Sequence, residues 1–410
     1  MTQQKKDVFW NTMGSAMYGA NSFLMLVVVS NTASLSITGS FSISWTTAQL
    51  LYIIGLFGAN FYQMTDYKEE YQFSDYFWLR VGTCILMIAG CLLYAFQQNE
   101  REKFFYLAVL TMYMIVNAFG DIYQSFFFQQ RHVDTSGKML FFRTLVPLCV
   151  FVIFQIVIRN LSWSILSMFV CNLVITSLYG AQSRRQNKIF ITRPQANLII
   201  GLLKSCIPLF ISVFLMNLIV NLPRYNVEWQ LNNEMQGYFS MLFIPAQVIN
   251  LCSQFVFKPL LSGYNLMLEK NDKSAFWKSL LKQFLFILIF TLFCCFGGAF
   301  LGIPVLSLVY GTDLNGYAGT LIVIILGGGS LAAAQLLYYI MVLIRKQSWI
   351  MWTYGIVSLT AWPITWIFVG KMGLLGAANS FVVLQLLIIL LELIGMFLAL
   401  QTEKCQRGKL

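Results

Sequence analysis

Long apolar runs separated by short polar connections occupy most of this chain. Runs of about 20 apolar residues are long enough for an α-helix to cross the hydrocarbon core of a bilayer. The runs predict twelve helices, near residues 8–30, 37–64, 77–97, 104–128, 139–158, 162–181, 195–220, 235–262, 277–303, 316–344, 348–370 and 374–400. The pattern therefore predicts an all-α, polytopic membrane protein with twelve transmembrane helices.

The composition agrees with a membrane protein, and the distribution of positive charge predicts its orientation in the membrane. The chain is 58% hydrophobic and only 10% charged, whereas about 25% of the residues in an average soluble chain are charged. Of its 27 Lys and Arg residues, five lie on one alternating set of connections and the other 22 on the opposite set. The sparse set is Arg101, Lys103, Arg159, Arg224 and Lys371. The positive-inside rule then places both termini in the cytoplasm, and the net charge of +11 needs no nucleic-acid partner.

The most basic connection divides the chain into two groups of six predicted helices. It covers residues 182–194 and predicts an N-terminal lobe, 1–181, and a C-terminal lobe, 195–410. Just before the eighth helix, Leu222-Pro-Arg-Tyr225 belongs to the longest predicted outer loop, about residues 221–233.

Two stretches of the chain echo each other across this division. Gly39–Gln49 and Gly237–Gln247 share the skeleton Gly-x-Phe-Ser-x5-Ala-Gln at a separation of 198 positions. Phe23-Leu-Met25 is likewise echoed by Phe214-Leu-Met216. The echoes predict two halves of similar build, which is how many transporters are constructed.

Catalytic chemistry finds no support in the sequence. The single histidine, His132, lies in a charged loop, and eight of the nine cysteines fall inside apolar runs without metal-ligand spacing. No phosphate-binding loop of the Walker type occurs. The first outer loop has no carboxylate and no outer loop is large, which argues against a membrane glycosyltransferase or polymerase. We expect neither an enzyme, nor a metal site, nor a cofactor.

Ionisable residues within the spans are costly to insert and are therefore candidate site residues. Lys204, about nine residues into helix 7, is either a snorkelling anchor or a cavity cation. Arg80, Arg143 and Lys258 lie near cytoplasmic helix ends and favour the anchor interpretation.

Two carboxylates lie deeper in the spans, toward the cytoplasmic side. They are Asp121 in helix 4 and Glu392 in helix 12, and with Arg131 and Arg143 both are candidates for a cytoplasmic gate. Asp121 is a partner for Arg131 or Arg143, either at a cytoplasmic gate or in a helix-end ion pair.

Four places make the chain resemble a known family. They are Lys6-Asp-Val-Phe-Trp-Asn-Thr-Met-Gly-Ser-Ala-Met-Tyr-Gly-Ala20; Asp121-Ile-Tyr-Gln with Gln129-Gln-Arg131, Asp134, Gly137-Lys138 and Arg143; Pro223-Arg-Tyr225; and Gly237-Tyr-Phe-Ser through Phe257-Lys-Pro259. In their joint order the chain resembles the Wzx-type lipid-linked oligosaccharide flippases, the polysaccharide transporter branch of the MOP exporter superfamily. The resemblance covers essentially the whole chain. One departure is Arg131-His-Val-Asp134, where relatives often have Gly-Arg-Leu-Asp.

The resemblance implies two six-helix bundles around a central cavity lined largely by helices 1, 2, 7 and 8. Cavity candidates are then Lys204, Arg224, Gln49, Gln247 and Asn250, with Arg224 at the outer mouth. The implied substrate is an undecaprenyl-diphosphate-linked oligosaccharide, carried across a bacterial plasma membrane by alternating access. Membrane lipids, a polysaccharide polymerase and glycosyltransferases of the same pathway are the implied partners.

Two other functions stay open from the sequence. One is a cation-coupled multidrug exporter of the same superfamily, which needs a dedicated carboxylate in the outer part of the first bundle. The other is a non-transporting membrane partner of a glycosyltransferase complex.

Overall fold

The computed structural model describes residues 2–66, 69–96, 100–187, 189–257, 260–270, 272–344 and 346–407. Helices account for nearly all of these residues, and no strand occurs among them. The helices are α1 Gln3–Thr32, α2 Leu35–Leu56, α3 Ala59–Thr65, α4 Phe73–Ala95, α5 Arg101–Gln129, α6 Val133–Ile158, α7 Leu161–Asn187, α8 Ala196–Gln230, α9 Asn233–Phe257, α10 Leu261–Glu269, α11 Lys273–Gly297, α12 Ile303–Tyr310, α13 Ala318–Leu343 and α14 Gln347–Arg407. A π-helical turn, Gly298–Gly302, joins α11 to α12.

These helices account for the predicted spans. Within the described ranges, nine helices are long and apolar enough to cross a membrane, or ten if α2 and α3, bent by 47°, form one broken span. The long α14 is two helices merged across Gly373, whose φ of 58° favours glycine. With α14 divided there and the more polar α9 added, the twelve predicted spans are accommodated. The chain is a multi-pass membrane protein.

The chain forms two compact units, Met1–Phe214 and Leu215–Leu410. Their boundary lies inside α8, because Leu202 and Cys206 of this helix are buried against Tyr76 and Leu79 of α4 in the first unit. The prediction of a linker at 182–194 concerns the connection before α8, and as a lobe boundary it stays a prediction.

The first unit is organised around α5, which packs against α2, α3, α4, α6 and α7, while α1 packs along α6. Leu110 of α5, Met87 of α4, Phe151 of α6 and Met168 of α7 are fully buried in its core.

The second unit is organised around α13, which packs against α9, α10, α11 and α14. Three successive glycines allow this. An added Cβ would collide with Phe381 of α14 at Gly327, with the backbone of Ala246 in α9 at Gly328, and with Thr291 of α11 at Gly329. Because successive helical residues turn by about 100°, three small positions in a row let three neighbours approach one helix.

The two echoed stretches occupy equivalent places in their units. Gly39 and Gly237 are each the fifth residue of their helix, α2 and α9 respectively. Each helix then carries an aromatic pair at i, i+4, with centroids 6.3 Å apart for Phe41–Trp45. The corresponding pair in α9, Phe239–Phe243, has its centroids 5.8 Å apart. The two echoes thus share their register within the helix and an aromatic pair, and the similar build of the two halves stays a prediction.

The predicted outer loop at 221–233 is wrong. The segment Asn221–Gln230 is the last part of α8, and only Leu231 and Asn232 separate α8 from α9. Tertiary contacts explain the helix: Asn226 is buried and donates to Thr365 Oγ1 at 2.7 Å, and Trp229 packs on Trp362 with centroids 4.6 Å apart.

Candidate functional site

A buried ion pair lies in the interior of the first unit. The Arg80 guanidinium of α4 and the Asp121 carboxylate of α5 are 3.2 Å apart, and their side chains are only 2% and 9% exposed. The interpretation of Arg80 as an interface anchor is therefore wrong, because its charge lies inside the helical bundle. The ion-pair partner of Asp121 is Arg80, which sequence reasoning left out of the gate candidates.

The same guanidinium reaches the place where α2 ends. Arg80 donates to the carbonyl oxygen of Gly55 at 2.5 Å, and Thr83 donates to the same oxygen at 2.7 Å. Gly55 lies in the last turn of α2, where carbonyls have no helical partner and a cation is favoured. Phe57 and Gly58, both with positive φ, follow it and bend the chain into α3. Arg80 thus joins α4, α5 and the break in the second span.

Arg143 of α6 adds a second cation to this cluster. Its side chain is 2% exposed and its guanidinium lies against Gly120, where any Cβ would overlap it. Among the described residues, its Nη1 has no hydrogen-bond partner. The interface-anchor interpretation is wrong for Arg143 as well, and the charges of Arg80 and Arg143 both act on Asp121.

The loop after α5 carries Arg131, the other basic residue, besides Arg143, that the sequence assigned to the gate. Arg131 is exposed and has a left-handed backbone, with φ of 61°, between α5 and α6. Arg131 therefore lies on the surface of the unit, whereas Asp121 lies in its interior.

Two of the stretches that carry the family resemblance contact each other. The Asp134 backbone N–H donates to Asp7 of α1 at 3.2 Å, and the Lys138 ammonium lies 5.7 Å from the centroid of the Trp10 ring. At Gly137 the backbones of α6 and α1 approach so closely that no Cβ would fit. This contact holds the start of α1 along α6.

The cavity candidate Gln49 lies on α2 facing α1. Its amide donates to Ser22 Oγ at 3.3 Å, and Trp45 donates to the same oxygen at 3.0 Å. Gln49 is half-buried, so part of its amide stays accessible.

Lys204 lies on the exposed face of α8, opposite Leu202 and Cys206, which pack on α4. It is eight residues into the helix, or about 12 Å from its start at 1.5 Å per residue. Pro208 lacks the N–H that would pair with the Lys204 carbonyl. Side chain and backbone therefore both present polar atoms at this level of the span.

Arg224 is in the second unit and is 6% exposed. Its guanidinium stacks 4.3 Å from the centroid of Phe243, the aromatic residue of the α9 echo, and its charge acts on Tyr225 and Tyr310. Arg224 is thus buried within α8 rather than exposed to water, and its place at the outer mouth stays a prediction.

The remaining candidates are also in the second unit. Gln247 of α9 is exposed, and Asn250, one turn further on, is half-buried. Among the described residues, the Asn250 side-chain oxygen is buried without a hydrogen-bond partner. Lys258 and Pro259, which follow on this segment, lie outside the described residues.

Glu392, of the second half of α14, is completely buried. Within the described ranges, neither carboxylate oxygen has a hydrogen-bond partner. Asp121 and Glu392 therefore differ in kind: the first has a cation beside it, and the second has none among the described residues.

A cavity of about 570 Å³ opens at one end of the second unit. Leu231 and Asn232 of the α8–α9 connection, Tyr317 before α13, and Gly373 at the kink of α14 line it. Tyr317 stacks on Tyr238 with ring centroids 5.0 Å apart. The Tyr317 hydroxyl donates to the Met235 sulfur at 3.7 Å.

No family model and no curated protein sequence matches the chain. Solved structures do. An inward-facing multidrug resistance MATE family transporter of the MOP superfamily matches with a TM-score of 0.73 and 9% identity, over 95% of this chain and 96% of that one. The lipid II flippase MurJ, in an inward closed conformation, matches with a TM-score of 0.69 and 16% identity, over 94% and 87%. The chain has the fold of the MOP superfamily transporters.

A third structure with the MOP transporter fold is the eukaryotic MATE transporter AtDTX14. It matches with a TM-score of 0.60 and 13% identity, over 99% of this chain and 98% of that one. These three proteins are transporters or a flippase. At such low identity the MOP transporter fold is what they share with this chain.

Proposed function

We propose that this protein is a flippase that moves an undecaprenyl-diphosphate-linked oligosaccharide from the cytoplasmic to the outer leaflet of a bacterial plasma membrane, by alternating access of two lobes. The observation that carries the proposal is the fold shared, over 94% of the chain, with the lipid II flippase MurJ. The Wzx-type motifs of the sequence refine it to the polysaccharide branch. In this proposal both termini are cytoplasmic, and a polymerase and glycosyltransferases of the pathway act beside the protein.

Basic residues within the spans suit an anionic substrate. A diphosphate brings about two negative charges, which hydrocarbon cannot solvate and which cations must compensate. Lys204 is an exposed cation about 12 Å along α8, beside a backbone carbonyl freed by Pro208. We assign Lys204 of the first unit to the diphosphate and Gln49 of the same unit to sugar hydroxyls. Gln247 and Asn250 of the second unit are assigned, separately, to sugar hydroxyls.

The chief alternative is a cation-coupled multidrug exporter, and the MATE similarity favours it. That function needs a carboxylate available to a cation in the first unit. Asp121, the carboxylate deepest in the spans of that unit, is instead paired with Arg80 at 3.2 Å. The pairing supports the flippase over the exporter.

The test uses purified protein in proteoliposomes with a labelled undecaprenyl-diphosphate oligosaccharide, scored by access of a membrane-impermeant probe to the sugar. Lys204→Gln should slow flipping roughly 10- to 100-fold, because a hydrogen bond to a charged group contributes about 1.5–3 kcal/mol. Lys204→Arg should keep partial activity, since the charge matters more than the shape of the donor.

The matched control is Arg193→Gln, which removes an exposed charge from the connection just before α8 and should leave flipping unchanged. Normal flipping by Lys204→Gln would make this lysine a snorkelling anchor. Dye efflux with no flipping would favour the multidrug exporter, and no transport of any kind by the isolated protein would favour the non-transporting partner.

A further inference from the structure

Glu392 is a fully buried ionisable group of the second unit that the proposed diphosphate and sugar contacts do not use. It is 0% exposed, and among the described residues both of its oxygens lack hydrogen-bond partners. Gln385, two turns earlier on the same face of α14, is 1% exposed and also has a side-chain nitrogen without a partner. This face of α14 thus holds polar atoms that the surrounding packing leaves unmatched.

The surroundings of Glu392 are apolar apart from two phenols. Ile388 and Met396, one turn to either side, are buried in the core of the unit. Among the described residues, the titratable groups that interact with the carboxyl are Tyr338 of α13 and Tyr354 of the first half of α14. A phenol is neutral at physiological pH, so neither compensates a carboxylate.

The turn that carries Glu392 is fixed by Trp349, from the start of α14. Its indole N–H donates to the carbonyl of Leu391 at 3.0 Å, and its ring lies where a Cβ of Gly395 would be. The turn is therefore held by Trp349, and the Glu392 carboxyl, which is 0% exposed, cannot reach water unless this packing moves.

Burial without a counter-ion decides the chemical form of the group. An isolated buried carboxylate is so unfavourable that such groups bind a proton instead. A metal cation would need several oxygen ligands, six to eight for calcium, and the packing around Glu392 offers two phenols and aliphatic side chains. The neutral acid is the form that this environment accepts.

We propose that Glu392 is a proton-binding site of the second unit, occupied in the conformation described here and emptied when the turn held by Trp349 moves and admits water. Only a proton is exchanged: the carboxylate takes it up from water, and the acid is then buried in the core of the unit, to which Tyr338 and Tyr354 also belong. Because loss of the proton and repacking of α14 are one event, a pH gradient biases the conformational equilibrium. The link to transport rests on the proposed function, whereas the site itself does not.

The first arm of the test needs no substrate. Infrared spectroscopy of protein carrying ¹³C-labelled glutamate should show a protonated carboxyl band at neutral pH that Glu392→Gln lacks. Glu234→Gln, which changes an exposed glutamate in the first turn of α9, should retain it. Glutamine has the shape of the neutral acid, so the variant should fold.

Stability gives a second readout of the same proton. Above the ordinary titration range of glutamate, the native state holds one more proton than the unfolded chain, so stability falls as pH rises. The unfolding constant of the wild type should rise about tenfold per pH unit relative to Glu392→Gln. Identical infrared bands and pH slopes in the two proteins would overturn the proposal.

The second arm imposes a pH gradient on proteoliposomes with the labelled oligosaccharide. The wild-type rate should depend on the gradient, and any residual rate of Glu392→Gln should not. A wild-type rate that ignores the gradient would refute the coupling. If the wild type moves no substrate at all, the proposed function fails, and the infrared band and pH slope still decide the proton site.

Discussion

The Arg80–Asp121 pair is the strongest local test of the first unit. Asp121→Asn keeps the side-chain shape but leaves Arg80 and Arg143 buried without a carboxylate. Removing one partner of a buried pair costs about 3–5 kcal/mol, since it leaves an uncompensated charge. For a unit the size of Met1–Phe214, about 2–4 °C per kcal/mol gives a fall in Tm of roughly 6–20 °C. The assay is thermal unfolding of the purified protein in detergent.

A chemically identical substitution supplies the control. Asp134→Asn breaks the Lys138–Asp134 ion pair, whose N–O distance of 3.0 Å is close to that of Arg80–Asp121 but whose lysine side chain is 40% exposed. Exposed i, i+4 pairs and charges near a helix start contribute less than about 1 kcal/mol, so its Tm should barely move. Equal shifts for Asp121→Asn and Asp134→Asn would refute the assignment of a buried charge pair.

The double variant Arg80→Met/Asp121→Leu separates charge from packing. Replacing both members of a buried pair with apolar residues is often neutral or stabilising, and Thr83 still donates to the Gly55 carbonyl. The part of the loss that comes from Arg80 should therefore be recovered, whereas Arg143 stays buried without a carboxylate in both variants. A double variant less stable than Asp121→Asn would show that geometry, rather than charge compensation, is what the pair provides.

Three further outcomes are expected. Gly328→Val should lower the Tm or abolish folding, because its Cβ would lie 2.6 Å from the Ala246 backbone and overpacking costs about 1–3 kcal/mol or more. Gly319→Val, in open space on the same helix, should be tolerated. Equal stability of the two variants would contradict the packing of α13. In a background without reactive native cysteines, Asn315→Cys should react with an impermeant thiol reagent added outside intact cells, and Asn187→Cys should not. The reverse pattern would mean that the chain has the opposite orientation in the membrane. Arg224→Gln should reduce folded protein as well as export, since the guanidinium is buried on Phe243, and a well-folded variant that loses export alone would assign it to substrate.

Periodicity and length predicted the helices well because a span must be apolar over a fixed length whatever its neighbours. Contacts between residues far apart in the sequence were harder to predict. Arg80 and Asp121 are 41 positions apart, and Arg80 lies so near the start of its predicted helix that an anchor was the natural interpretation. The segment after Asn221 was mistaken for a loop because Pro, Arg, Asn and Glu cluster there, whereas contacts such as Asn226 to Thr365, distant in sequence, hold it helical.

The register of the two echoes has an evolutionary consequence. The echoes at Gly39 and Gly237 are 198 positions apart, whereas those at Phe23 and Phe214 are 191 apart. If the chain is a duplicated and fused ancestor, α8 has gained seven residues relative to α1. Seven residues are two helical turns, about 10 Å, an insertion that lengthens a helix without rotating the segment after it. Counted from the Phe23 and Phe214 echo, α1 ends opposite Pro223, and the seven extra residues 224–230 of α8 include Arg224, a buried cation beyond the level at which α1 ends.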